Sequence, residues 1–181
     1  MIIKNLQLSY TERISLILIQ RKDRRNDMIH EMRRKDREIG GERILDILKK
    51  LPYGILSTVD SHGQPYGVPI SYVYKNEAIY LHCGKEGHKL DNLSQNPNVS
   101  FCVVGETNII PDKFTTDYES VIVFGKASEL EGEEKEEALL SILYKYSPDF
   151  LEKGRLYIKN AADKTTVVKI DIRHMTGKAR G

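Results

Sequence analysis

Three strand-like stretches follow one another between Tyr53 and Cys83 with very short links, and this spacing restricts the fold more than any other feature of the chain. Tyr53 to Val59 reads as a strand, DSHGQP as a glycine-containing turn, and Tyr66 to Tyr74 as a second strand. KNE then leads directly into a third, Ala78 to Cys83. A parallel crossover needs about a dozen residues, so connections this short dictate an antiparallel meander.

The flanking pattern extends that meander. Upstream, Ile44, Leu45, Ile47, Leu48 and Leu51 fall at helical spacing within Glu42 to Leu51, and Pro52 stops the helix. Downstream, a helix from Glu86 or Gly87 to about Gln95 ends at Asn96-Pro97. Val99 to Gly105 alternates as a fourth strand, Glu106 to Asp117 reads as a polar loop, and Glu119 to Leu130 as a long strand. GEEKEEALLSILYKY is an amphipathic helix whose acidic first turn suits the positive end of its dipole. A loop near Pro148 to Lys159 precedes a last strand, Thr165 to Ile172. Six strands and two or three helices without βαβ alternation predict a mainly β (α+β) fold, a six-stranded antiparallel barrel with peripheral helices.

A chain of 181 residues builds one domain with a single substantial core. Its formal charge is only +2, with no basic groove in view, which argues against nucleic acid as a partner. Residues 1–31 hold six bases and four acids, so the rest of the chain is formally neutral. The apolar run ISLILI is six residues long and is followed by charges, so it is neither a membrane span nor a signal peptide. Cys83 and Cys102 sit in strand-like contexts without CxxC spacing and indicate neither a disulfide scaffold nor a zinc site. The chain reads as cytoplasmic.

Chemistry concentrates in IYLHCGKEGHKLDNLSQN, Ile79 to Asn96. A strand ends in His82 and Cys83, a glycine-punctuated turn follows, and His88 and Lys89 open a helix. Free amides and the positive end of the helix attract an anion such as phosphate, and Lys89 adds a mobile countercharge. Many strand-to-helix turns carry a lysine and bind nothing, so the turn alone leaves both readings open.

The ordered set VPISY, LHC, EGHK and SVIVFG closely resembles the pyridoxamine 5′-phosphate oxidase-like flavoproteins, and within them the nitroimidazole-resistance (Nim) branch. The resemblance runs from about Met32 to HMTGKA. It implies a split barrel of the FMN-binding type, working as a homodimer with the flavin between subunits. Residues 1–31 leave three readings, a helical arm packing on the domain or a partner, a disordered tail, or an extension upstream of the natural start; Met32 begins MRRKDREI, an opening of that family's kind, which favours the last, with 32–181 as the domain.

Matched position by position, the resemblance places Val68, Pro69, Ile70 and Ser71 on the strand bordering FMN. It places His82 and Cys83 at the next strand end, with His88 and Lys89 on the phosphate. His88 stands where pyridoxamine phosphate oxidases commonly have arginine, and a neutral imidazole holds phosphate less firmly than a guanidinium. The arginine-bearing substrate clamp of those oxidases is not recognisable, which puts vitamin B6 oxidation in doubt. The Nim-like reading makes the chain an oxidoreductase passing electrons from FMN to a nitroaromatic or another small acceptor, with His82 as the candidate catalytic residue. The other reading of His82 is a hydrogen-bonded structural residue, the commoner role of a lone histidine at a strand end. Thr115, Thr116, Tyr118, Ser120, Thr176, Gly177 and Lys178 are further candidates, or else loop and tail. Two rivals stay open: a haem-handling barrel with His82 or His88 as axial ligand, and a flavin-binding module without turnover.

Overall fold

The computed structural model of the protein describes residues 30–181, so the reading of residues 1–31 as an upstream extension falls almost wholly outside them. A 3-10 turn (Lys35–Arg37) precedes β1 (Glu38–Ile39) and α1 (Gly41–Lys50). The meander comprises β2 (Tyr53–Val59), β3 (Pro65–Lys75) and β4 (Ala78–Cys83), followed by α2 (His88–Gln95). After these come β5 (Asn98–Ile110), β6 (Thr115–Leu130), α3 (Gly132–Tyr146), α4 (Leu151–Ala161) and β7 (Thr166–Arg180).

Among the described residues every strand pairing is antiparallel, in the order β1-β7-β4-β3-β2-β5-β6. Because β6 also pairs with β7, strands β2 to β7 close into a six-membered ring. The expected antiparallel barrel with peripheral helices is therefore what the chain forms. β1 is a seventh strand of only two residues, lying beside Gly177 and Lys178, and is too short to show a period.

Alternation fills the ring. Leu56, Tyr72, Ile79, Leu81, Phe101 and Ile170 are 0% exposed, and removing each such side chain from water contributes roughly 1.5–3 kcal/mol. Four apolar residues of α1, Ile44, Leu45, Ile47 and Leu48, join the same core. On the outside, Ala138 and Leu139 of α3 cover Ala78 and Tyr80 of β4 and Val167 of β7. The far end of α3 is tied down by polar contacts. Tyr146 accepts the Tyr72 amide at 2.8 Å and reaches the Pro52 and Tyr72 carbonyls, while the Lys145 ammonium donates to the Leu51 carbonyl at 2.7 Å.

Three segments differ from the sequence reading. The expected loop Glu106 to Asp117 is mostly strand: β5 and β6 continue as a ribbon around a turn at Pro111–Lys113. Much of that ribbon faces solvent, so its sequence carries no apolar alternation, and ladder hydrogen bonds hold it instead. The stretch near Pro148 to Lys159 is largely α4, a helix without a fully buried residue. The last strand runs to Arg180, so HMTGKA lies within the sheet between β1 and β6 rather than in a tail.

Candidate functional site

β4 carries the site at its C-terminal end. Its inward residues Ile79 and Leu81 enter the barrel core, and its outward residues Ala78 and Tyr80 lie under α3. His82 continues the outward face one step beyond that cover and emerges at the floor of a cleft. Ser71 of β3 lies on the same floor, while α3, α4 and the turn between them form the walls through Leu139, Ile142, Phe150 and Tyr157. The cleft holds about 720 Å³, within the range of small-molecule sites.

The imidazole of His82 is open to the cleft, yet enough protein surrounds it that burial lowers its pKa from the ordinary histidine value. At neutral pH it is therefore uncharged, with one N–H to donate and one nitrogen to accept. Cys83 pairs with Thr166 on β7, and burial raises its thiol pKa, with Lys89 opposing only in part. It remains a protonated, half-buried thiol at neutral pH. Burial likewise raises the pKa of Cys102.

Past Cys83 the chain turns through Gly84–Gly87 into α2. Gly87 has φ 135°, a conformation that side-chain-bearing residues rarely adopt, and its carbonyl accepts the amides of Leu90 (2.8 Å) and Asp91 (3.2 Å). No side chain caps the helix, so the His88 and Lys89 amides belong to an open first turn. The His88 ring lies on that of Tyr66, with centroids 4.2 Å apart. Asn92, only 2% exposed, donates to the Thr58 hydroxyl at 2.9 Å and pins the helix to β2. The first turn of α2 is thus held beside the end of the β2–β3 hairpin, and it carries two basic residues in succession at an uncapped helix start, His88 against Tyr66 and Lys89 beside Cys83.

The other predicted residues divide. Pro69 and Ser71 point outward, whereas Val68 and Ile70 pack against the barrel core, which leaves them only their backbone to offer an outside ligand. Tyr118 and Ser120 stand opposite Arg180 and Lys178 on β7, so register brings the KFTTDYES and TGK groups together. Tyr118 and Arg180 line a separate cavity of about 1090 Å³ against α1, away from His82. Sequence reasoning missed Phe150, Lys153 and Tyr157, all on or beside α4. Their signal was the recurrence of Leu151, Gly154, Ile158 and Ala161 at helical steps, faint because half of that stripe is glycine and alanine.

Outside the ring, Ile55, Cys102 and Ile122 stand in register across β2, β5 and β6. With exposed Tyr53, Val104 and Phe124 they make a contiguous apolar face. Among the described residues no helix is long and apolar enough to cross a membrane.

The family model described as pyridoxamine 5′-phosphate oxidase matches residues 41–179. The chain belongs to the pyridoxamine 5′-phosphate oxidase family. Within it, a candidate 5-nitroimidazole antibiotic resistance protein from Bacteroides thetaiotaomicron is 30% identical, with a TM-score of 0.68 over 78% of this chain and 86% of that one. Two more distant structures share the fold. The flavocytochrome Anf3 from Azotobacter vinelandii is 20% identical, with a TM-score of 0.72 over 86% of this chain and 75% of that one. The FAD and heme binding protein from Mycobacterium smegmatis is 17% identical, with a TM-score of 0.70 over 78% and 72% respectively. No curated protein matches the sequence. The β4–α2 junction and the cleft above it both lie within the part of the chain that this oxidase family model spans.

Proposed function

We propose that this family member is a homodimeric, FMN-dependent oxidoreductase that passes electrons to a small aromatic acceptor, nitroaromatics among them. The observation that carries the reading is the open first turn of α2, which carries His88, Lys89 and uncapped amides just past a strand end bearing His82. That donor set fits a phosphate monoester dianion: a helix N-terminus supplies directed N–H groups and Lys89 supplies charge. Gly84 and Gly87 have open space where a Cβ would stand, so the turn presents its backbone to a ligand without side chains in the way.

Bound flavin would supply the redox chemistry. The chain's own residues would do the rest. His88 and Lys89 hold the phosphate end, Pro69 and Ser71 border the outer edge of β3, and the neutral His82 donates an N–H to a polar atom of the acceptor. The apolar walls of the cleft keep water from the reacting end. The 30% identity to a nitroimidazole-resistance protein supports a nitroaromatic acceptor. The apolar outer face of β2, β5 and β6 supports the homodimer, because a monomer rarely leaves so many large apolar side chains contiguous and exposed.

The test is to purify the protein, denature it and identify what it releases. FMN in a one-to-one ratio supports the reading, and a colourless protein that cannot be reconstituted with FMN overturns it. A second reading, haem binding, is favoured by an accessible, uncharged imidazole in a cleft of this size. A Soret band in place of the two flavin bands would select it. His82→Ala separates the roles: turnover should fall well below native while flavin content holds, and equal loss of both would make His82 a positioning residue.

A further inference from the structure

We propose that the cleft over His82 seats an aromatic molecule bearing one anionic group, with Lys153 selecting that group at the rim. This deepens the reading of His82 as the substrate end of the site, and rests on that reading for the chemistry though not for the binding.

Shape comes first. The cleft is concave, holds about 720 Å³ and is walled mainly by aliphatic and aromatic side chains. Phe150 and Tyr157 stand on it 65% and 73% exposed, large aromatic surfaces left in water beside a hollow that a flat ring would fill. Aromatic bodies meeting aromatic edges gain about 0.5–1.5 kcal/mol beyond simple burial, which favours a planar ligand over a branched aliphatic one. The separation of the walls is set by Gly154, where a Cβ would fall 2.2 Å from Leu143 Cδ1; the glycine lets α4 seat directly on α3.

Charge decides the class further. Among the described residues no carboxylate lines the cleft, and Lys153 is the one lining residue with a formal charge at neutral pH. Several bases nearby are engaged elsewhere: Lys75 pairs with Glu137, Lys169 with Glu134, and Arg155 donates to the Tyr144 hydroxyl at 2.6 Å, while Lys135, Lys159 and Lys164 do not line the cleft. Lys153 has no ion-pair partner among the described residues. An unpaired ammonium on a flexible stem beside an apolar hollow complements a ligand with an apolar body and one anionic end. At the floor His82, exposed to the cleft, supplies a polar group for the reacting end. A doubly charged or strongly polar molecule would lose hydration against the leucine and isoleucine walls without compensation.

The experiment titrates the full-length purified protein, at low salt, with 1-naphthoate and with its neutral counterpart 1-naphthalenemethanol, by calorimetry. Naphthoate should bind about tenfold more tightly, the worth of one charge-assisted contact. Lys153→Met should erase that preference while leaving the alcohol within about twofold of native, and Tyr157→Ala should weaken both ligands. Raising salt to about 0.5 M should shrink the preference in the unmutated protein, which keeps the test valid if a variant misfolds. Equal affinities in the native protein, or an unchanged preference in Lys153→Met, would overturn the inference. A protein that releases no flavin yet prefers naphthoate overturns the flavoprotein reading and sustains this one; a flavin-loaded protein that binds both probes alike does the reverse.

Discussion

The β4–α2 turn and the α3–α4 cleft both begin at the last residues of β4, yet they are made of opposite materials. The turn is backbone, glycine and charge: Gly87 at φ 135°, an uncapped helix start, His88 and Lys89, with one buried hydrogen bond from Asn92 holding it to the barrel. The cleft is apolar side chain, with Ser71 and His82 at its floor and a single ammonium at its rim. Anion binding needs directed donors on a rigid mount, whereas a planar organic ligand needs area and shape. One strand end can serve both because its outward face emerges from beneath α3 just where its backbone turns away.

That division can be broken first at Lys89. Lys89→Ala removes the mobile charge of the turn and leaves the cleft intact, so flavin affinity should fall about 30-fold, equivalent to about 2 kcal/mol, with no change in naphthoate binding. Flavin-to-protein ratio after gel filtration, with calorimetry for naphthoate, reads the two separately. Unchanged flavin retention would count against the phosphate assignment. A parallel loss in both would mean that turn and cleft are one site.

Asn92 tests whether the turn depends on its mount. Asn92→Ala strands the buried Thr58 hydroxyl, whose other contact, the Tyr66 carbonyl, is at a long 3.5 Å. Stability should fall by about 1–3 kcal/mol in urea denaturation. Flavin affinity should fall less than in Lys89→Ala, because the charge remains and only its placement loosens. A variant that loses stability but keeps native flavin affinity would show that the turn holds its shape without the helix anchor.

The turn was legible in the sequence and the cleft was not, for a physical reason. A strand end, two glycines and a basic pair at a helix start are local signals, spelled out between His82 and Lys89. The closed barrel was equally legible, since the strand boundaries Tyr53–Val59 and Ala78–Cys83 follow from alternation and short links. A cleft between two helices and a sheet depends on how distant segments pack. One wall, α4, was read as loop because it buries no residue completely and its inner stripe includes Gly154 and Ala161. Fully buried stripes announce themselves in sequence, and half-buried ones that border a hollow do not. The strand continuation through His174–Arg180 was hidden for a related cause: mixed polar residues there hydrogen-bond to strands on both sides, and backbone pairing leaves no mark on composition.

Gly154 sharpens the comparison from the cleft side. Alanine there gains about 1 kcal/mol of helix propensity, but its Cβ displaces the Leu143 side chain, an overpacking cost of about 1–3 kcal/mol. The net should be a destabilisation of about 1 kcal/mol, with Leu143 turned into the cleft it lines. Naphthoate and the alcohol should weaken together, and flavin retention should stay native. Flavin loss in Gly154→Ala would place the ring of the cofactor between the helices.

The smallest effect concerns how the cleft wall is fastened to the barrel. Lys145, near the end of α3, lies 4.1 Å above the Tyr72 ring centre and donates to the Leu51 carbonyl, and burial lowers its pKa to about 8 from 10.5. Below about pH 8 the ammonium is charged in both the folded and unfolded chain, and the folded state carries the whole cost of partly desolvating it. Between about 8 and 10.5 the unfolded chain binds more protons than the folded one, so this group makes stability rise with pH across that window. Lys145→Met abolishes the titration while keeping the apolar stem. Urea midpoints measured from pH 7 to 10 should therefore show the native protein gaining on the methionine variant as pH passes 8. Parallel curves would mean that the ammonium is solvated, and that the polar tie at the far end of α3 is the Tyr146 hydroxyl.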